Sequence, residues 1–548
     1  MFYLIIKKKR KMKKLLLCTF AIFMVSTLLS QVPTFTNRND LIENYAGTSS
    51  ITVDMNGDFL DDFVRVSENG IGIDYQQADG TFNSVFIEMI IQRVPDWSVA
   101  AGDIDSNGYT DLVLGNGQRV SFLFANEDGT AFTEQLHNDY IFSQRSNLVD
   151  IDNDGDLDAF VCHDVDQSHP YRNDGNQVMV EDQSLIQTLN LAGNYQSLWV
   201  DYDNDGDTDM YLTKCRQGSS PGDPERTNAM YRNNGDGTYS EVAASINLAD
   251  NEQSWASVFQ DFDNDGDFDI YCVNHSGANR FYKNDGTGVF TDIIASTGIN
   301  ATDLGAWENQ GADFNNDGFV DILSEMAREL YLNNGDMTFT GYDLPFDEGA
   351  IGDFNGDGYL DVGIGGSLWM NDGGSNNWVK FALVGVESNP NGIGARITIN
   401  GEWGSQIREV RSGTGYSHMS SLIAHFGIGT STEIESVLIE WPSGTIDFIE
   451  NVDINSQHVF IEGENLGTSD FALNGINLYP NPTTSMINFS LNNIEGTPVR
   501  VIDVNGRIIL NTTISSDSNI NVETLTNGVY FVQLQVENKD LSYKFVKK

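Results

Sequence analysis

Short apolar runs and polar turns alternate along the chain from about residue 50 to residue 370. Runs such as WSVAAG, SLWV and SWASVFQ each enter an acidic turn, and a second run (DLVLG, DAFVC, DMYLT, DIYCV, DILSE) leaves it. Further runs then flank a glycine-rich turn, as in YRNNGDGTY, YKNDGTGVF and YLNNGDMTF. β-branched and aromatic residues fill these runs without a helical period. Each unit therefore predicts strand, acidic loop, strand, strand, hairpin, strand. Such a unit is too small to bury a core alone. Seven of them suit a propeller, which repeats radially and leaves few edges; a linear array of β modules is the alternative.

The acidic turn carries the candidate chemistry. Asp or Asn recurs at offsets 0, 2, 4 and 8 in seven sets. They are Asp54/Asn56/Asp58/Asp62, Asp103/Asp105/Asn107/Asp111, Asp150/Asp152/Asp154/Asp158 and Asp201/Asp203/Asp205/Asp209, followed by Asp261/Asp263/Asp265/Asp269, Asp313/Asn315/Asp317/Asp321 and Asp353/Asn355/Asp357/Asp361. Successive sets begin 49, 47, 51, 60, 52 and 40 residues apart, too far for a short-period calcium repeat. Alternate side chains of a tight loop converge on one point, and calcium takes six to eight oxygens at about 2.3–2.6 Å. Position 7 holds Leu60, Tyr109, Asp156, Asp207, Asp267, Phe319 and Tyr359, a variety that fits a backbone carbonyl ligand there. Position 6 is glycine in six sets and Phe59 in the first. Two carboxylates about 4 Å apart repel by roughly 4 kcal/mol at an effective dielectric near 20. A divalent ion turns that repulsion into ligation. The reading is Ca2+, up to seven ions with the first site weakest, against a metal-free reading as solvated turns. Magnesium fits less well because it keeps its waters.

Composition narrows the classes. Hydrophobic residues at 40% and aromatics at 11% supply a core, while 79 acids against 30 bases give −49. That balance argues against nucleic acid and anionic membrane surfaces as partners. Residues 1–30 read as a signal peptide, with seven bases between Lys7 and Lys14 and an apolar run from Leu15 to Ser30. An N-terminal membrane anchor is the other reading. Cleavage leaves 79 acids and 23 bases, near −56, and no transmembrane segment in the mature form. Cys162, Cys215 and Cys272 then remain, an odd count in apolar runs that suggests buried thiols and leaves a Cys162–Cys215 bridge open.

These repeats resemble the FG-GAP/VCBS family, the calcium-loop propeller blades also found in integrin α heads, over residues 31–376. The resemblance implies a seven-bladed β-propeller, metal roles for the residues named above, and ligands docking elsewhere on its faces. Residues 377–462 carry NGIGARITI, REVRSGTGY, HFGIG and IEWPSG. They resemble the ASPIC/UnbV domain that follows such propellers in the CRTAC1-like family, which implies a small β domain. Arg408, Glu409, Arg411 and His418 within it read as strand-surface charges and turn chemistry. Residues 463–475 read as a linker. Residues 476–548, with a PNP motif, an Asn505-Gly506 hairpin, GVYFV and a basic end, resemble a type IX secretion C-terminal sorting domain. That implies an Ig-like β-sandwich, engagement of the type IX secretion machinery, and a secreted or outer-membrane cell-surface destination.

No HExxH, GxSxG, P-loop, CxxC or post-strand GxGxxG is present, and the seven histidines have no ligand spacing. No catalytic or cofactor-binding residue is assigned beyond the metal loops. The expected function is a calcium-binding platform for glycan or protein ligands, without enzymatic activity. The alternatives are an extracellular polysaccharide hydrolase or lyase, and a structural surface-layer or motility component.

Overall fold

The computed structural model describes residues 32–465 except 48, 176, 190, 303–306, 325–327 and 348. Of the tail it describes 478–479, 483–489, 497–503, 508–515, 519–526, 528–536 and 539–548. The predicted signal segment, most of the linker, the PNP motif and the Asn505-Gly506 turn lie outside the described residues. Two compact units result, one up to Asn465 and one from Leu466 on, with Ile446–Phe448 grouped with the second.

The first unit is all-β apart from the short helix Ile294–Thr297 and the 3-10 turn Pro224–Arg226 among the described residues. Among the described residues its repeats contribute four antiparallel strands to each of seven sheets, the first six in chain order from an inner to an outer strand, and the first sheet gains a fifth strand described below. The inner strands are Ser49–Val53, Ser98–Gly102, Ser143–Val149, Asn194–Val200, Ser254–Gln260, Asn309–Ala312 and Ala350–Gly352. Small residues such as Ala100, Ala101, Gly311 and Gly352 let these strands crowd together. A Cβ on Gly352 would lie 2.3 Å from the Thr52 methyl.

The apolar clusters lie between sheets, as expected where both faces of each sheet are covered. One joins Ile51 and Val64 of the first sheet to Val99 and Leu112 of the second. Corresponding clusters join the third to the fourth, the fourth to the fifth, the fifth to the sixth and the sixth to the seventh. Phe63 of the first sheet packs with Phe354 and Leu368 of the seventh, so the series closes on itself.

Closure also uses the start of the chain. The outer strand of the seventh sheet is Phe35–Asn37, antiparallel to Ser367–Asn371 with Phe35 opposite Asn371. Thr34 and Thr36 hydroxyls each donate to Asp372 at 2.7 Å, and the Phe35 ring sits edge-on to Phe314 and Phe346.

Residues 377–465 build a two-sheet module. Asn377–Val384 pairs with Ala424–Gly429 and, in parallel, with Gln457–Ile461. The second sheet runs Gly404–Glu409, Arg396–Gly401, Ile434–Glu440, Ile446–Val452. Val379, Phe381, Ile397, Phe426, Val437 and Ile439 are its core, continuous with that of the second and third sheets.

One segment of the module departs from it. Residues 411–421 enter the centre of the ring and run along the inner strands. His418–Met419 adds a parallel strand to Ser49–Val53, with Ser50 opposite His418. The Ser412 hydroxyl donates to Ala101 O, Asn147 Nδ2 donates to Ser412 O, and Ser421 N donates to Ile351 O. Arg411 donates to Phe259 O and Tyr416 OH to Trp255 O. The channel is thus stoppered by the module. Arg408 and His418 are 8% and 2% exposed rather than on the strand surface. Turn-like composition hid this, because the partners are strands hundreds of residues away.

The second unit holds two sheets. One is Leu478–Tyr479, Met486–Phe489, Asn519–Asn521; the other is Ile508–Thr513, Pro498–Asp503, Gly528–Val536, Lys539–Lys547. Ile487, Phe489, Val499, Val501 and Val532 form its core.

Cys162, Cys215 and Cys272 are free and buried, so the bridge left open above does not form. Burial pushes their thiols up to about 11, 11 and 12. The thiolate is the reactive species. We expect no thiol of the native exported chain to react with a water-soluble disulfide reagent at neutral pH, and three to react after unfolding. A native count of one or more would contradict this packing.

Candidate metal centres at one end of the ring

Each acidic loop connects the inner strand of a sheet to the next strand. Its shape is held by its own carboxylates. The first aspartate accepts from the amides of positions 5 and 6: Asp150 takes Asp154 N at 3.1 Å and Gly155 N at 2.9 Å, and Asp261 takes Asp265 N and Gly266 N at 3.1 and 3.0 Å. Asp103, Asp201, Asp313 and Asp353 repeat the pattern.

Position 9 has a second role that spacing alone does not show. In six of the sets one of its oxygens caps the loop, as Asp111 accepts from Ile104 N at 2.9 Å. The other pins the third strand, as Asp111 accepts from Ala125 N at 2.7 Å and Asp361 from Asn371 N at 2.7 Å. These aspartates are buried, and burial pushes Asp111 and Asp158 up to about 8 and Asp209 to about 9.

The loops divide into two groups. In four of them three carboxylates each bring one oxygen within 4.8 Å of the others: Asp103/Asp105/Asp111, Asp150/Asp152/Asp158, Asp201/Asp203/Asp209 and Asp261/Asp263/Asp265. In the first, sixth and seventh loops position 3 is asparagine. Its amide donates into the position-5 carboxylate, Asn56 to Asp58 at 3.1 Å, Asn315 to Asp317 at 2.9 Å and Asn355 to Asp357 at 3.0 Å.

In the four richer loops the gathered carboxylates come from three of the four positions 1, 3, 5 and 9. In the second loop position 5 is the amide Asn107, and in the third and fourth loops the gathered three leave out Asp154 and Asp205. Asn107 is an amide whose Nδ2 donates to Ala125 O at 2.8 Å and whose Oδ1 accepts from Tyr109 N at 2.8 Å. Asp154 accepts from Asp156 N and Asp205 from Asp207 N, each at 3.0 Å. In all three the position-5 oxygen accepts from the position-7 amide, as Asp265 does from Asp267 N at 3.2 Å in the fifth loop while belonging to the gathered group, so this turn bond is compatible with ligation. In the fifth loop Asp265 joins the group and Asp269 does not; one Asp269 oxygen accepts from Asn284 N at 2.9 Å.

Buried acceptors without a hydrogen-bond partner provide a test of fit. They include one oxygen each of Asp105, Asp203, Asp263 and Asp269. A buried acceptor with no donor is costly, and a hard cation supplies what it lacks. The donor set, all oxygen and mostly carboxylate, suits calcium.

The backbone is the same in every loop. Position 6 lies at φ between 82° and 98° wherever it is glycine, and Phe59 takes φ 61° in the first loop. A side chain in the left-handed region costs roughly 1–2 kcal/mol. Phe59→Gly should therefore raise stability by about 1 kcal/mol in urea unfolding; a loss of that size would show that the half-buried ring outweighs the strain.

The asparagine before each hairpin reads in the sequence as turn chemistry only. In the structure it ties neighbouring sheets. Asn333 Nδ2 donates to Phe262 O of the preceding sheet at 2.7 Å and to Val320 O at 3.1 Å, and its Oδ1 accepts from Gly335 N. Asn173, Asn284 and Asn371 do the same. The recurring N-[ND]-G is the signal that carries it.

Bases of the module meet the acids of this end. Lys380 Nζ lies 2.6 Å from Asp353, with the two side chains 5% and 0% exposed. Arg396 donates to Asp201 O at 2.6 Å, its guanidinium 3.6 Å from that carboxylate. Arg408 is buried near Asp313 and Asp261; desolvation works against its charge, and the two carboxylates favour it. Gly429 N donates to Asn316 O, His425 meets Gly358 O at 2.9 Å, and Gln457 donates to Phe59 O.

These are the loops of an all-β FG-GAP protein with propeller-like repeats. Residues 201–272 and 261–324 match the FG-GAP-like repeat, and 96–132 the FG-GAP repeat. Residues 385–466 match the ASPIC and UnbV family, and 477–548 the secretion system C-terminal sorting domain. The chain thus carries FG-GAP repeats, an ASPIC/UnbV segment and a type IX secretion sorting tail, and is similar in sequence to cartilage acidic protein 1. It is 28% identical to cartilage acidic protein 1 of Homo sapiens over 257 residues, 40% of this chain and 37% of the human one. The Xenopus tropicalis protein is 26% identical over 254 residues, 40% of this chain and 38% of that one. The match thus spans well under half of these relatives. A solved Agrocybe aegerita lectin that recognises non-reducing terminal N-acetylglucosamine has 17% identity and a TM-score of 0.37, covering 57% of this chain and 79% of that chain. The sorting tail marks the protein for export to the cell surface or beyond. Among the described residues no helix is long and apolar enough to cross a membrane.

Proposed function

We propose that the protein is a seven-bladed, calcium-stiffened propeller. It acts outside the cell, without catalysis, as a platform for glycan or protein ligands, with its module over one end of the ring and an Ig-like sorting domain at the C-terminus. The orphaned carboxylate oxygens of Asp105, Asp203 and Asp263 carry the metal part of this reading. Calcium there would be held first by the gathered carboxylates, with Asn107, Asp154, Asp205 and Asp269 as the remaining side chains of their sets. It would supply a fixed positive centre that locks each loop. The second to fifth loops fill first, because they gather three carboxylates each. The first, sixth and seventh follow. In the seventh, Lys380 already neutralises part of the charge. With the loop end covered by the module, ligands dock on the opposite end or the rim.

The platform part is tested by incubating the exported chain with intact cells and with extracellular matrix in millimolar calcium. Retention that is lost in chelator is the expected result. Equal retention in chelator, or none in calcium, would refute it.

A further inference from the structure

The end of the ring away from the acidic loops holds a cavity of about 420 Å³. It lies where the inner strands begin and where residue 416 of the stopper emerges. Its walls are aromatic: Trp97, Phe142, Tyr195, Trp255, Trp307 and Tyr416. The rings come from five sheets and the module, and they stand outside the apolar clusters that join neighbouring sheets. Trp255 is the platform. His275 stacks on it at 4.5 Å and 10°, Tyr195 lies parallel to it at 6.4 Å, and Trp307 stands across it at 5.0 Å and 72°. Trp307 is 53% exposed, an unusual state for the largest apolar side chain. Trp97 and Trp255 satisfy their indole N–H groups inside the fold, on Ser143 O at 3.0 Å and Cys215 Sγ at 3.1 Å, which fixes their planes.

The polar lining says what kind of ligand fits. Two carboxylates border the cavity and each already has a guanidinium: Asp164 lies 3.5 Å from Arg216, and Glu308 pairs with Arg145. The one basic group among the described lining residues, His418, is buried and lies 3.5 Å from Glu308, so the charged groups of the lining are engaged with one another or with a guanidinium. What remains is flat apolar faces beside hydrogen-bonding groups, Gln144, Asp164 and Ser417. That combination matches a neutral ring that is apolar on its C–H face and hydroxylated at its rim. The volume falls within the roughly 300–1,000 Å³ of small-molecule sites. We propose that this cavity is a saccharide-binding site for one end or one short segment of an uncharged glycan, with Trp255 and Trp307 stacking on pyranose rings. The proposal rests on the platform reading above and gives it a place and a ligand class.

The test uses the full exported chain in millimolar calcium. Intrinsic tryptophan fluorescence is titrated with methyl β-glucopyranoside, methyl β-galactopyranoside, methyl α-mannopyranoside and cellobiose, with glycerol and tetramethylammonium chloride as comparisons. Saturable change with at least one saccharide and not with glycerol is expected. Trp307→Ala should weaken that binding at least tenfold while leaving the thermal midpoint in place, because the ring is largely outside the core. Trp255→Phe, which keeps an aromatic plane, should weaken it less. Failure of all four saccharides to saturate overturns the proposal, as does saturation by tetramethylammonium alone, or saccharide binding untouched by either variant. Retention on cells and matrix separates the two readings. If Trp307→Ala protein is retained like wild type, the platform stands and this cavity is not its site.

Discussion

Stripping divalent ions should lower the thermal midpoint of the exported chain by roughly 10 °C, and millimolar calcium should restore it where magnesium does not. Extracellular calcium modules bind at about 10⁻⁴–10⁻³ M. At a tenfold excess over the dissociation constant one site adds about 1.4 kcal/mol to the folded state. Four three-carboxylate loops then add about 5–6 kcal/mol, and a chain of this size gains a degree or two per kcal/mol. Counting bound metal after dialysis in calcium should give at least four ions. Asp105→Asn, which removes a gathered carboxylate from the second loop, should lower the midpoint in calcium and leave it nearly unchanged in chelator. Asp58→Asn in the first loop should do less. Identical midpoints in calcium and chelator, with no ion retained, would leave the loops as solvated turns.

Glu308→Ala should destabilise the ring by about 3–5 kcal/mol, among the largest effects of any single change. Arg145 and Glu308 are both buried and bonded to each other, and the Glu308 carboxylate also accepts the Tyr416 backbone N–H. Removing one partner strands a buried charge, which costs far more than the pair contributes. The Tyr416 ring stacks against the same guanidinium at 4.6 Å, so the stopper loses its anchor as well. Glu308→Gln keeps an acceptor and should cost less. Replacing both residues by leucine should recover part of the loss. Urea unfolding reads all three; a midpoint for Glu308→Ala equal to wild type would mean the stopper does not bear on the stability of the ring.

Much of this is legible in the sequence because it is local. The acidic sets mark the turn after each inner strand, and every set lies where the structure places a loop. Alternation of apolar runs gives the four-strand units, and Phe59 stands out by departing from glycine. The remainder is carried by distant partners or by side-chain direction. Phe35–Asn37 is three residues long and has no alternating pattern, yet it completes a sheet with residues 367–371. RSGTGYSHMSS reads as a turn-rich loop, because its hydrogen bonds go to inner strands whose own sequences do not announce an extra neighbour. Arg408 and His418 read as surface charges for the same reason. Position 9 reads as one more carboxylate, and its strand-pinning hydrogen bonds need the register of the third strand. The position-5 residues of these loops also accept from their own position-7 amides, hydrogen bonds that the spacing does not show.

The Phe35–Asn37 strand also bears on how the molecule comes into being. Its partner is not synthesised until some 330 residues later, and the stopper follows roughly 40–50 residues after that. Every shorter nascent chain has an open seam and an empty axle. Such high contact order makes closure slow and late, so the polypeptide stays unlocked while it is being made and moved. Mutations that weaken the seam would be felt as a longer exposure to proteases during biogenesis rather than as a change in what the finished ring can bind.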